Sequence, residues 1–147
     1  LGFVEDEVLN LLTEEQVEGK KEEVLAESVK EALARGHIKT PWLGYFMALS
    51  KLFLGRLGIP ADRQRFRAKL KGERAHYSAQ TYDHEVFLEG WGWIEMAGHA
   101  YRTDYDLRSH MKKTGADYSV SSQLAAPTRG STRPRRRAPR AGPAPPS

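Results

Sequence analysis

The chain has 147 residues, enough for one ordinary domain with a real core and too few for a large multidomain enzyme. It holds no cysteine, which excludes a disulfide scaffold and a thiolate zinc site and fits a reducing compartment. The formal charge of +4 is a property of the tail: six of the 23 basic residues and no acid follow residue 118, leaving 17 basic against 19 acidic groups before it, a net of −2.

Leu1 to Asn10 carries three acids and no basic residue, so no signal peptide is expected there. Thr13-Glu14-Glu15-Gln16 has the form of a capping box and predicts a short helical turn. Glu22 to Glu27 alternates as a strand would, and Ser28 then caps a helix through Val29, Leu33 and Ala34 that stops at Gly36. Thr40 as N-cap, Pro41 at the first helical position and Gly58 beyond the end delimit the clearest helix. Its apolar residues fall on nearly every side, which predicts burial over most of its circumference. The run Pro41 to Leu57 is 17 residues long and contains Lys51 and Arg56, whereas a bilayer span needs roughly 20 apolar residues.

Beyond Pro60 the apolar period moves toward two. β-formers in Ala75 to Leu88 and in Trp91 to Tyr101, separated by Glu89-Gly90, predict an antiparallel pair. Asp104 to Thr114 reads as a helix with Lys112 and Lys113 in its last turn, where the dipole favours cations, and Gly115 as its stop. From residue 119 to 147 the chain is rich in Arg, Pro and Ala and holds six of the eight prolines, so a disordered tail is expected. That tail could neutralise RNA phosphates, or it could be a GC-rich stretch read out of frame.

Strict alternation along Gly92 to Gly98 sets Ile94, Met96 and Gly98 on one face and Trp93, Glu95 and Ala97 on the other. Glu95 thus sits among apolar neighbours on an expected central strand, where a carboxylate needs a cation, a donor or a ligand. Two readings stay open: a salt bridge to Arg102 or Arg67, and a ligand-binding role. Asp104 and Asp106 cap the following helix, or position an arginine or a metal-bound phosphate. His84-Glu85 begins like a zinc-protease helix, but Leu88 stands where the second histidine belongs. His76, His99 and His110 show no ligand spacing, and nucleophile elbow, P-loop and dinucleotide glycine fingerprint are all missing from the sequence.

Three strings resemble glycyl-tRNA synthetases of the dimeric archaeal and eukaryotic type: Leu43 to Arg67, Glu73 to Val86 and, most specifically, GWGWIEMAGHAYRTDYDLRSH from Gly90 to His110. Residues 1–40 resemble that family's variable insertion more weakly. The resemblance implies an α+β fold: residues 1–118 as part of a class II synthetase catalytic domain, an antiparallel sheet flanked by helices, with residues 119–147 outside it. It implies glycine activation with ATP and Mg2+, transfer to tRNA-Gly, a homodimeric cytoplasmic enzyme and no membrane. Glu95 would be the catalytic carboxylate, facing ATP and magnesium. Met96 would belong to the same ATP-binding wall, with Arg102, Asp104 and His76 supporting the site. Tyr101 and His99 depart from the family's usual small polar and aliphatic residues. The Phe-Arg-x-Glu core and the glycine-rich arginine motif of class II enzymes do not occur in these 147 residues, so little activity is expected of the chain alone. The rival reading is a non-catalytic RNA-binding or scaffolding protein on a synthetase fold.

Overall fold

A computed structural model describes Gly2 and residues 4–120. The chain divides into two units, Leu1–Ala116 and Asp117–Ser147. In the second, the Ser119 amide donates to Asp117 Oδ1 at 2.9 Å. The expected disordered tail lies almost wholly outside the described residues.

The strands of the first unit are β1 (Val8–Leu12), β2 (Leu25–Ser28), β3 (Gln64–Ala68), β4 (Gln80–Leu88) and β5 (Gly92–Tyr101). They form one sheet in the order β2-β1-β3-β4-β5, antiparallel except for β1 beside β3. The helices are α1 (Glu14–Glu18), α2 (Val29–Ala34), α3 (Pro41–Arg56) and α4 (Tyr105–Thr114), with a 3-10 turn at Ala61–Arg63. The mixed α+β character and the largely antiparallel sheet are those the sequence predicts.

Local chemistry fixes the short helices. Thr13 accepts from the Gln16 amide while Gln16 accepts from the Thr13 amide, and Ser28 and Glu31 repeat this reciprocal arrangement at the start of α2. The strand foreseen over Glu22 to Glu27 begins only at Leu25 and ends at Ser28. α4 ends where foreseen, with Gly115 in the left-handed conformation at φ 71°. Its start differs: Asp104 occupies the cap position without a side-chain cap bond, because its carboxylate accepts from Arg108 at 2.6 Å instead. Thr40 likewise precedes α3 without a side-chain cap bond.

One face of the sheet carries the core, in which Leu9, Leu11, Phe66 and Tyr82 pack with Val29, Ala32, Met47 and Ala48 of α2 and α3. α3 approaches α2 closely at Gly44, where a Cβ would lie 2.7 Å from Val29 Cγ1. Burial of α3 on most of its circumference is not observed. Leu43, Gly44, Met47, Ala48 and Leu54 are buried, while Trp42, Phe46, Phe53 and Leu57 are 54–65% exposed. The helix lies on the sheet along one stripe, and its apolar outer surface faces solvent among the described residues.

His84 is fully buried in this core layer, stacked on Phe66 at 4.3 Å. Gln64 Nε2 donates to the Ile59 carbonyl at 2.9 Å, which turns Gln64 Oε1 toward His84 Nε2, also 2.9 Å away. That oxygen can only accept, so His84 carries its proton on Nε2 and its Nδ1 accepts from the Ser50 hydroxyl at 2.7 Å. Burial, with His99 nearby, pushes the His84 pKa down to about 4, and the ring is neutral at pH 7.

Candidate functional site on the open face of the sheet

The opposite sheet face carries charge. Successive strand side chains alternate, so with Phe66, Tyr82, His84 and Val86 turned to the helices, Arg65, Arg67, Asp83, Glu85 and Phe87 take the other side. Cross-strand pairing adds Trp93 opposite Phe87, Glu95 opposite Glu85 and Gly98 opposite Asp83. The pairs stay in phase because the register of β5 shifts: Glu85 opposes Glu95 while His84 opposes Ala97, leaving Met96 as the extra residue of a bulge. This corrects strict alternation, since Ala97 pairs with the core-facing His84 and Gly98 with Asp83. β5 also ends the sheet of described strands rather than running through its centre.

Glu95 is exposed and has no ion-pair partner among the described residues, which removes the salt-bridge reading. Arg67 lies 3.5 Å from Glu73, and Arg102 lies 2.9 Å from Asp106. Met96 is 53% exposed beside Glu95.

The other carboxylates of this face are better shielded. Glu85 accepts from Arg65 Nε at 2.6 Å, and the Arg65 guanidinium lies 4.1 Å from the Trp93 ring centre. Asp83 has a side chain 6% exposed, with Oδ2 3.3 Å from Lys69 Nζ and Oδ1 buried without a hydrogen-bond partner. Burial first, and the nearby Glu95 charge second, raise its pKa, while Lys69 pulls the other way. A concavity of about 250 Å³ adjoins this face, bordered by Lys20, Lys21, Glu22, Arg65 and Arg67 over the apolar Leu12 and Val17. Among the described residues no group of three or more metal-ligating side chains converges.

Arg102, Asp104 and His76 gather around the far end of β5. Arg102 stands seven positions beyond Glu95, roughly 20 Å along the strand. There the Arg102 guanidinium lies 4.1 Å from the Tyr77 ring centre, and His76 Nε2 is 3.3 Å from the Tyr105 hydroxyl. These contacts tie the β3–β4 connection to α4. Asp104 pairs with Arg108 and Asp106 with Arg102, so the two acids of this turn serve its own arginines. Arg65, Lys69 and Asp83 were not singled out from sequence, and Glu85 only within the failed zinc-protease pattern, although the alternation Gln64-Arg65-Phe66-Arg67-Ala68 holds a readable signal for β3.

The chain matches no family model. It is 45% identical over 117 residues to a glycine–tRNA ligase of Pyrococcus furiosus, which covers 80% of this chain and 20% of that protein. A glycine–tRNA ligase of Pyrococcus horikoshii is 52% identical over 93 residues, 63% of this chain and 16% of the relative. One from Methanocaldococcus jannaschii is 43% identical over 126 residues, 83% and 22% respectively. The chain is homologous to one segment of the glycine–tRNA ligase family. It spans about a fifth of the length of these glycine–tRNA ligases. No helix among the described residues is long and apolar enough to cross a membrane.

Proposed function

We propose that this chain forms one wall of the adenylate site of a glycine–tRNA ligase, which activates glycine with ATP and transfers it to tRNA-Gly. The observation that carries this reading is the placement of Glu95: a solvent-facing carboxylate, free of ion pairs among the described residues, on a sheet face that also carries Arg65 and Arg67. Such a face suits a polyphosphate and its counter-ion, because cations meet phosphate oxygens and hard carboxylate oxygens meet magnesium. Mg2+ bound there would neutralise charge on the triphosphate. Glu95 holds and orients that region, and Met96, brought out by the bulge, lines it.

Arg102, His76 and Asp104 act at a distance in this reading. Arg102 against Tyr77, and His76 against Tyr105, fix the end of β5 to α4 and so set the strand on which Glu95 stands. Residues 1–118 supply this wall, a homodimer of full-length chains in the cytoplasm is the working form, and residues 119–147 take no part in catalysis.

The test is glycine-dependent exchange of pyrophosphate into ATP by a hybrid in which these residues replace the matching segment of the Pyrococcus furiosus enzyme. Exchange by the hybrid, with none by the chain alone, is the expected result. A silent hybrid, together with salt-sensitive RNA binding by the chain, would favour the RNA-binding reading instead.

A further inference from the structure

We propose that the outer face of α3 seats an apolar helix supplied by the part of the ligase chain that lies outside these residues; this rests on homology to the glycine–tRNA ligases and not on the role of Glu95. Trp42, Phe46, Leu49, Phe53 and Leu57 follow one another at steps of four, three, four and four residues, the last at the C-cap. At about 100° per residue they fall within roughly 80° of arc, outside the arc that holds the buried Leu43, Met47 and Ala48. Leu49 is partly buried and the other four are exposed.

Two concavities flank this stripe. One of about 320 Å³ lies between Trp42 and Phe46 on the helix and His99 and Tyr101 on β5. Another of about 380 Å³ is lined by Leu49, Leu52, Phe53 and Arg56. His99, which borders the first, has its Nε2 buried without a hydrogen-bond partner among the described residues. This side of the molecule is therefore short of a polar partner as well as of apolar cover, and both shortages point to a missing neighbour.

Spacing selects the shape of that neighbour. A ridge of side chains at steps of four and three fits the groove of a second helix, whereas a strand presents period two. Fifteen residues of helix rise about 22 Å, so the partner needs about four turns. No charge interrupts the stripe, so the facing side chains are apolar. Proportion selects the source. These residues span about a fifth of the length of the ligases they match, and the rest of such a chain is tethered to α3. Tethering gives an effective concentration that a second copy or a separate protein does not match.

The chain has no cysteine, so Phe53→Cys supplies a probe. Its alkylation by iodoacetamide, relative to the rate in urea, is followed by peptide mass spectrometry in the 147-residue chain and in the Pyrococcus furiosus hybrid. The introduced thiol reacts close to its urea rate in the chain alone. In the hybrid it is slowed by about tenfold or more, as for a site that reacts only through local opening. Equal rates in the two proteins overturn the proposal. So does protection in the hybrid that disappears on dilution to the monomer, which assigns the face to a second copy. Phe53→Glu is the second variant. It leaves the urea midpoint of the chain unchanged, where the side chain meets solvent, and lowers the Tm of the hybrid, where it buries an unpaired charge. An unchanged hybrid Tm overturns the proposal. If the hybrid does not fold, the same cysteine at the matching position of the Pyrococcus furiosus enzyme is read with the same two outcomes. Pyrophosphate exchange takes no part in these readouts, so the proposal and the placement of Glu95 stand or fall separately.

Discussion

Arg65 Nε donates to Glu85 Oε2 at 2.6 Å, joining β3 to β4 through side chains that are only 12% and 14% exposed. The Trp93 ring, 4.1 Å from the guanidinium, extends the contact to β5. Three strands of the open face thus meet on one arginine, and the floor beneath Glu95 depends on it. Arg65→Ala strands the Glu85 carboxylate and is expected to destabilise the fold by about 3 kcal/mol, the scale for breaking a shielded pair from one side. Arg65→Lys keeps the charge and loses the planar stack on Trp93, so it should fall between alanine and wild type. Urea unfolding followed by tryptophan fluorescence measures both.

His84 predicts how stability depends on pH. Its ordinary value is 6.5 and its folded value is pushed down to about 4, so the unfolded chain binds the proton first. The stability that comes from keeping this ring neutral is present above about pH 6.5 and is lost as pH falls toward 4, by roughly 1.4 kcal/mol per pH unit. His99, depressed in the same direction by burial, adds with the same sign. His84→Asn should flatten the curve between pH 6.5 and 4 relative to wild type. Urea midpoints taken across that range supply the comparison, and an unchanged slope would refute the assignment.

Gly44 sets the approach of α3 to α2. A methyl there would stand 2.7 Å from Val29 Cγ1, so Gly44→Ala overpacks the core, an effect of about 1–3 kcal/mol. Val29→Ala removes the colliding group. The double substitution should recover part of the loss of Gly44→Ala, and a double-mutant cycle by chemical unfolding gives the coupling.

Signals that act over a few residues were legible in the sequence. Thr13 with Gln16 and Ser28 with Glu31 announce the starts of α1 and α2, Gly115 announces the end of α4, and the Glu89-Gly90 turn joins the β4–β5 hairpin. Features that depend on distant partners were not legible. β1 lies between β2, its antiparallel partner, and β3, a parallel partner more than 50 residues away in sequence, and neither β1 nor β3 was foreseen. The side of α3 that faces the sheet could not be told from the side that does not, since both are apolar. The Met96 bulge leaves no mark in an alternating run, yet it decides that Gly98, rather than Ala97, shares a face with Glu95 and Asp83. Glu95 drew notice in the sequence as a lone carboxylate in an apolar strand, but its exposure on the last strand of the sheet was not legible there. Asp83 drew none, because its distinction is an oxygen left without a partner by the fold.

The measurement that bears most directly on the central claim is glycine-dependent pyrophosphate exchange by the hybrid enzyme with Glu95→Gln, compared with the unsubstituted hybrid at saturating ATP. Removing a carboxylate that organises the charged centre should cost on the order of 10² to 10³ in rate with the fold intact. Exchange within about twofold of the unsubstituted hybrid, less than about 1 kcal/mol of barrier, would contradict the placement of Glu95 in the adenylate site.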